Sequence, residues 1–292
     1  MTEAVEPECV WALGAELGEG PVWSARERAL WFVDIKQARI HRFDTNLGVG
    51  RSWEAPPAPG FLAPLRRGGF VVGLQSGLHR FDPAGGTFTP LHAIPGEPAG
   101  NRLNDGAVDA KGRLWFGSMD DGEQAPTGRL YRLGPDGPLP MDDGYVITNG
   151  PSFSPDGRTL YHTDTLERTI HAFDLGPDGA LRGKRDFVRI EDGAGYPDGC
   201  TVDADGCLWT GLFGGWAARR YSPSGELLSQ VSFPCANITK VAFAGPELRT
   251  VYATTAWKGL SPEARTAQPL AGGLFRFPAD APGLPQPEVA DG

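Results

Sequence analysis

Six segments of one design follow one another along this chain, and that recurrence restricts the possible folds more than any other feature. Each has a short apolar strand, a turn containing glycine, a strand led by an aromatic residue, and a third strand ending in a basic–aromatic pair. The aromatic residues are Trp31, Phe70, Trp115, Tyr161, Trp209 and Tyr252, about 40 to 50 residues apart. Third strands include Ile40-His41-Arg42-Phe43-Asp44, Leu78-His79-Arg80-Phe81-Asp82 and Leu274-Phe275-Arg276-Phe277. Turns such as Asp109-Ala110-Lys111-Gly112, Ser154-Pro155-Asp156-Gly157 and Asp203-Ala204-Asp205-Gly206 each offer a glycine free to take positive φ. A unit of this size cannot bury its apolar face alone and must pack on its neighbours. The sequence predicts an all-β fold: a six-bladed β-propeller with four-stranded antiparallel blades around a central channel. The whole of residues 1–292 reads as one domain.

The 41 glycines and 27 prolines are scattered between apolar runs, which fits short strands joined by turns and leaves no linker. A formal charge of -9, with no basic run against it, argues against a nucleic-acid surface. No stretch approaches the roughly 18 apolar residues of a membrane span. The acidic start, Met1 to Glu8, lacks the apolar segment of a secretory signal. Cys9, Cys200, Cys207 and Cys235 show no CxxC spacing. Cys200 and Cys207 could face each other across a hairpin, but buried thiols in a reducing compartment account for them better. A cytoplasmic protein is expected.

The histidines do not suggest a metal site. His41, His79 and His171 share one strand position where other units carry Tyr, Arg or Phe, so the position is structural. His92, in a Gly/Pro-rich connection, and His162, on a strand, belong to no HxxxH or HExxH pattern. Asp203 to Gly206 looks like a calcium loop but lacks the remaining ligands, and reads as a turn.

Polar residues converge instead at the starts of the repeats. Four places before a buried position stand Glu19 (before Trp23), Asn104 (Val108), Asn149 (Phe153), Asp198 (Val202) and Asn237 (Val241). The second repeat breaks the pattern with Pro and Ala at positions 56 to 59. In a propeller the inner strands line the channel, so equivalent positions meet at one depth. Glu19, Asn149 and Asp198, each followed directly by Gly, form the set best suited to a hard divalent cation. Three such oxygen donors leave coordination positions for water and substrate. Asn-Gly and Asp-Gly are also common turn formers, and a turn role competes at any one of these residues. Glu19 is a poor turn former.

These residues carry a resemblance to the family of sugar lactonases that includes gluconolactonase, regucalcin (senescence marker protein) and the luciferin-regenerating enzyme. It extends over nearly the whole chain, from Leu17-Gly18-Glu19-Gly20-Pro21-Val22-Trp23 to Leu270-Ala271-Gly272-Gly273-Leu274-Phe275. Between them stand Asn101-Arg102-Leu103-Asn104-Asp105-Gly106, Thr148-Asn149-Gly150-Pro151 and Tyr196-Pro197-Asp198-Gly199. Each motif is weak alone; their order and spacing are specific. Val33-Asp34-Ile35-Lys36-Gln37 and Tyr161-His162-Thr163-Asp164-Thr165-Leu166-Glu167 resemble bacterial aldonolactonases of the xylonolactonase type.

The resemblance implies one divalent metal held by Glu19, Asn149 and Asp198. It makes Asp198 the catalytic base, and Arg102 and Asn104 the sugar contacts. Oxygen ligation does not choose among calcium, zinc, manganese and iron(II). One position departs from the family: a substrate-contacting Glu falls, by strict spacing, on Gly122, where Asp121 or Glu123 could stand in. The segment from Asp120 to Thr127 reads equally as an exposed loop or a lid over the channel mouth.

The function expected is metal-dependent hydrolysis of an aldono lactone, such as xylonolactone or gluconolactone, to its sugar acid in sugar catabolism. The protein would act as a monomer on a small sugar lactone, without nucleic acid or membrane. Two alternatives stay open. One is a hydrolase of aryl esters or organophosphates, which in related propellers needs more ligands and a second, structural calcium; no second convergent set is present. The other is a non-catalytic calcium-binding or interaction propeller, whose channel would be plainer than this one.

Overall fold

The computed structural model describes residues 5–290; residues 1–4 of the acidic N-terminus and residues 291–292 lie outside them. Its strands form six four-stranded antiparallel sheets, the propeller the repeats predict. Blades one to six begin with the inner strands Gly18–Ser24, Phe61–Pro64, Asn101–Val108, Thr148–Phe153, Tyr196–Val202 and Asn237–Ala244. Among the described residues the one helix is the short Pro262–Ala267 in blade six.

Burial follows strand order within a blade. The second strand of blade one, Ala29–Asp34, is buried throughout, whereas the fourth, Val49–Glu54, is mostly exposed. The aromatic residues that mark the repeat fill the seams between blades. Trp31 of blade one lies against Phe70 of blade two, with ring centroids 4.7 Å apart. Pairs of this kind add about 1 kcal/mol beyond the area they bury.

The ring is closed by a strand that carries no repeat signal. Glu8–Trp11 pairs with Leu274–Pro278 as the outer strand of blade six, and the Arg276 guanidinium donates from Nε to the Glu8 carboxylate at 2.8 Å. Trp11 then reaches blade one, where its ring occupies the space a Cβ on Gly50 would need, 2.3 Å away. Both ends of the chain are thereby tied into one seam.

The predicted turns have the predicted chemistry. Gly112, Gly157 and Gly206 take φ of 80°, 66° and 81°, in the left-handed region. Asp203 is a turn residue. Its carboxylate accepts from Asp205 N and Cys207 N at 3.0 Å, from Trp209 Nε1 at 3.0 Å and from Arg220 Nε at 2.7 Å. Removing it strands a buried indole N–H and a guanidinium, so Asp203→Ala should destabilise the fold by about 3 kcal/mol. Chemical denaturation checks this, and a change under about 0.5 kcal/mol would contradict the assigned role.

Histidines sit where a structural reading puts them. His41 bonds Ser52 Oγ through Nδ1 at 2.8 Å, and burial drives its ring down to about 4. Burial pushes His162 down to about 3, so both rings are neutral at physiological pH. His92 differs from expectation: it ends the strand Thr87–His92 instead of lying in a connection. Cys200, Cys207 and Cys235 are buried free thiols.

Candidate functional site

The inner strands leave their ladders as they enter the channel. In blade one the pairing runs from Glu19–Val33 to Val22–Trp31, with an extra residue on the inner strand. Blade three steps from Leu103–Ser118 to Gly106–Phe116, blade four from Asn149–Thr163 to Ser152–Tyr161, and blade five from Pro197–Leu212 to Cys200–Thr210. A bulge re-aims the side chains beside it. Gly20 and Gly150, the bulge residues after Glu19 and Asn149, take φ of 56° and 75°. A side chain there would be strained, which is why the polar residue is followed by glycine.

Register fixes which positions are equivalent. Val22, Ala107, Ser152 and Thr201 lie opposite Trp31, Trp115, Tyr161 and Trp209. Three residues before each stand Glu19, Asn104, Asn149 and Asp198. In blade six Ala242 lies opposite Tyr252, and the same count reaches Thr239. Asn237 is therefore out of phase by two residues and is not part of the site. Its side chain accepts from Gly214 N and donates to the Lys258 carbonyl, both at 3.0 Å. In blade two the inner strand starts only at Phe61 and brings no polar group.

Glu19, Arg102, Asn104, Asn149 and Asp198 all line one cavity of about 260 Å³ at one end of the channel. All five are buried, none more than 6% exposed. Arg102 donates through Nη1 to Asn104 Oδ1 at 2.6 Å and through Nε to Asp121 Oδ1 at 2.7 Å. Asn104 Nδ2 donates to the Thr148 carbonyl at 2.6 Å and to Asn149 Oδ1 at 3.0 Å. Asn149 Nδ2 donates to Thr165 Oγ1 at 2.9 Å, so its Oδ1 is the acceptor of the amide pair and keeps a second lone pair. The chain Asp121–Arg102–Asn104–Asn149–Thr165 is thus continuous and fixes every amide orientation.

Glu19 and Asp198 make the site electrostatically unusual. Burial, then the charge of Asp105, pushes Glu19 up to about 7, against the hydrogen bond Gly20 N gives its Oε2 at 2.8 Å, the charge of Lys240 and a hydrogen bond shared with Asp198. Asp198 is raised well above the ordinary carboxylate range, by burial first and then by Glu19 beside it. The two cations whose charge reaches them are paired elsewhere, Lys240 with Asp105 at 2.6 and 2.8 Å and Lys258 with Glu123. Two adjoining buried carboxylates with no cation bonded to them fit a bound metal ion. With the Asn149 carbonyl they give three oxygen donors, which suits a hard divalent ion. Among the described residues no three His, Cys, Asp or Glu side chains cluster as a metal site, because the third donor here is an amide.

Several cavity residues carry no signal in the repeat. Lys258, from the connection after the second strand of blade six, forms an ion pair across the mouth with Glu123 of blade three. Tyr196, Phe213, Met119 and Ile147 supply an apolar wall. Of the two acids that could stand in for the family Glu, Glu123 lines the cavity, whereas Asp121 is occupied by Arg102 and by Lys36 Nζ at 2.8 Å. The segment carrying them is a turn stapled from within: the Asp120 carboxylate accepts from the backbone N–H groups of Gly122, Gln124 and Ala125.

Known proteins share this sequence pattern and fold over most of the chain. A family model described as SMP-30/Gluconolactonase/LRE-like region matches residues 17–257. A 6-deoxy-6-sulfogluconolactonase of Pseudomonas putida is 35% identical over 286 residues, 97% of this chain and 98% of that one. An L-arabinolactonase of Azospirillum brasilense is 37% identical over 266 residues, 89% and 87% of the two chains. Among solved structures, a calcium-binding protein, regucalcin, from Agrobacterium tumefaciens superposes with a TM-score of 0.94 at 26% identity, covering 99% of this chain and 98% of that one.

Proposed function

Since this chain belongs to the SMP-30/gluconolactonase/LRE-like family, we propose that it is a lactonase that opens an aldono lactone to its sugar acid, using one divalent cation held by Glu19, Asn149 and Asp198. The observation that carries this reading is the pair of buried, adjoining carboxylates in a cavity that the Arg102–Asn104 pair also lines. Calcium binding by a solved relative supports a divalent ion without choosing it. A propeller closed by its own N-terminal strand supports one domain over the chain, and the cavity has room for one small sugar lactone.

A divalent cation held there would supply Lewis acidity toward the lactone carbonyl and would lower the pKa of a water beside it. The chain's own residues do the rest. Asp198, its basicity raised by burial and by Glu19, takes a proton from water as that water adds to the carbonyl carbon. The ring C–O bond then breaks, and the same proton returns to the departing alkoxide, giving a free hydroxyl and a carboxylic acid that loses its remaining proton to solvent. Arg102, immobilised by Asp121 and Asn104, donates to sugar hydroxyls or the ring oxygen. Asn104 holds the Asn149 amide in place. The apolar wall of Tyr196 and Phe213 faces the C–H side of the ring and keeps water out.

Acid release from xylono-, glucono-, arabinono-, galactono- and 6-deoxy-6-sulfogluconolactones, followed with a pH indicator, tests the reading. Chelator-treated protein should match the spontaneous rate, and calcium, manganese, zinc or iron(II) should restore turnover. The ranking then names the substrate. No acceleration with any lactone and any cation would overturn it.

A further inference from the structure

The channel holds a second, larger cavity of about 440 Å³ at its other end, lined by the later residues of the inner strands and by Leu284–Pro287 of the C-terminal tail. The tail spans that mouth: Ala204 N donates to the Pro282 carbonyl, Gly283 N to Leu248, and Val289 N to Pro64. Between the two cavities lies one buried ion pair, Asp105 of blade three with Lys240 of blade six. The proposed reaction does not use either residue.

The partners of this pair are informative. Asp105 is 1% exposed and Lys240 7%. Besides Lys240, Asp105 accepts from its neighbour Gly106 N at 2.8 Å and, through Oδ2, from Gly150 N of blade four at 2.9 Å. Gly150 is the left-handed bulge residue directly after Asn149. The Lys240 stem lies on Gly199, directly after Asp198: a Cβ there would meet Lys240 Cδ and Cγ at 2.6 Å. One ion pair thus touches the bulges that present two of the three cation donors, and does so from two other blades. Taking both charges out of water is costly and adds little net stability compared with an apolar pair of the same volume. Stability alone is therefore a poor reason for placing it here.

We propose that Asp105 and Lys240 are positioning residues: the pair braces the Asn149-Gly150 and Asp198-Gly199 bulges and so sets the spacing of the cation donors. This rests on the cation-dependent reading above. Partners that orient donors in this way typically change metal affinity by about 10- to 100-fold when removed.

The test uses two charge-neutral double variants of the full chain, so that no buried charge is left alone. Asp105→Asn with Lys240→Met removes the cross-blade bond. Asp105→Asn with Lys240→Gln keeps an amide–amide bond and is the gentler change. For each, calorimetry reads calcium and manganese affinity, NMR reads exchange at the Gly150 amide, and lactone kinetics read kcat and KM per folded molecule. The Met variant should lose about 10-fold or more in cation affinity and in kcat, with KM within about 3-fold and faster Gly150 exchange. The Gln variant should recover most of that loss. Wild-type cation affinity, kcat and Gly150 exchange in a folded Met variant would overturn the brace. So would a loss of about 10-fold or more per folded molecule in the Gln variant, which decides the matter if the Met variant does not fold. Failure of the lactonase reading shows separately, as wild-type protein that hydrolyses no lactone, while affinity and amide exchange still report on the brace.

Discussion

Asp198→Asn should lower kcat for lactone hydrolysis by about a thousandfold, the middle of the range for a lost general base. The substitution keeps the size of the side chain and one oxygen donor, so cation affinity should fall much less than turnover. That contrast separates base from ligand. Asp198 is raised by burial and by Glu19, and the charge of Lys258 opposes this only weakly. An amide in its place accepts no proton at any working pH. KM should stay within a few-fold, because Arg102, Asn104 and the apolar wall are untouched. Stopped-flow or indicator kinetics with cation in excess gives both constants. Retention of more than about a tenth of wild-type kcat would remove Asp198 from the proton transfer.

Glu19→Gln should weaken cation binding by about 100-fold and alter its pH dependence. In the cation-free protein Glu19 titrates at about 7 instead of 4.5. A carboxyl raised in the folded state contributes stability while protonated; that contribution is complete below 4.5 and is lost as pH rises through about 7. Chelator-treated wild type should therefore lose melting temperature from about pH 5 to about pH 8, and the variant should lose less. The cation has to displace the Glu19 proton at low pH, so wild-type affinity should climb with pH and level off above about 7. Calorimetry across that window, paired with thermal melts, checks both. Equal affinity and equal pH slopes in wild type and variant would mean Glu19 is not a ligand.

The polar positions in blades one, three, four and five could be found by counting because a marker survives in each repeat. An aromatic residue opens the second strand, and the inner strand keeps a fixed offset to it through a bulge of the same size. Blade six keeps its aromatic residue, Tyr252, but the inner strand opposite it offers no landmark of its own. Its inner strand is buried on every residue from Asn237 to Ala244, so hydrophobicity shows no alternation and a slip of two residues looks the same. Asn237 was drawn into the set for that reason, and only the pairing of Ala242 with Tyr252 places Thr239 there. His92 was misplaced for a simpler one: the Gly/Pro-rich stretch begins just after it, and the strand runs to its last residue.

Other parts of the molecule are not local properties of the chain at all. Glu8–Trp11 reads as an unremarkable N-terminal stretch and becomes a strand because blade six lacks an outer edge that only it is placed to fill. Lys258 and Glu123 are 135 residues apart, as are Asp105 and Lys240, and no period of the repeat relates either pair. The sequence by itself determined the six blades, the strand order within each, and the oxygen donors that line one end of the channel. Each of those follows from contacts within a repeat or from its regular offset. Tertiary structure alone decided how the ring closes, which acid reaches the cavity, and which buried charges stand beneath the donors. Those depend on bringing different blades to a common axis, and a linear pattern carries no information about distances across it.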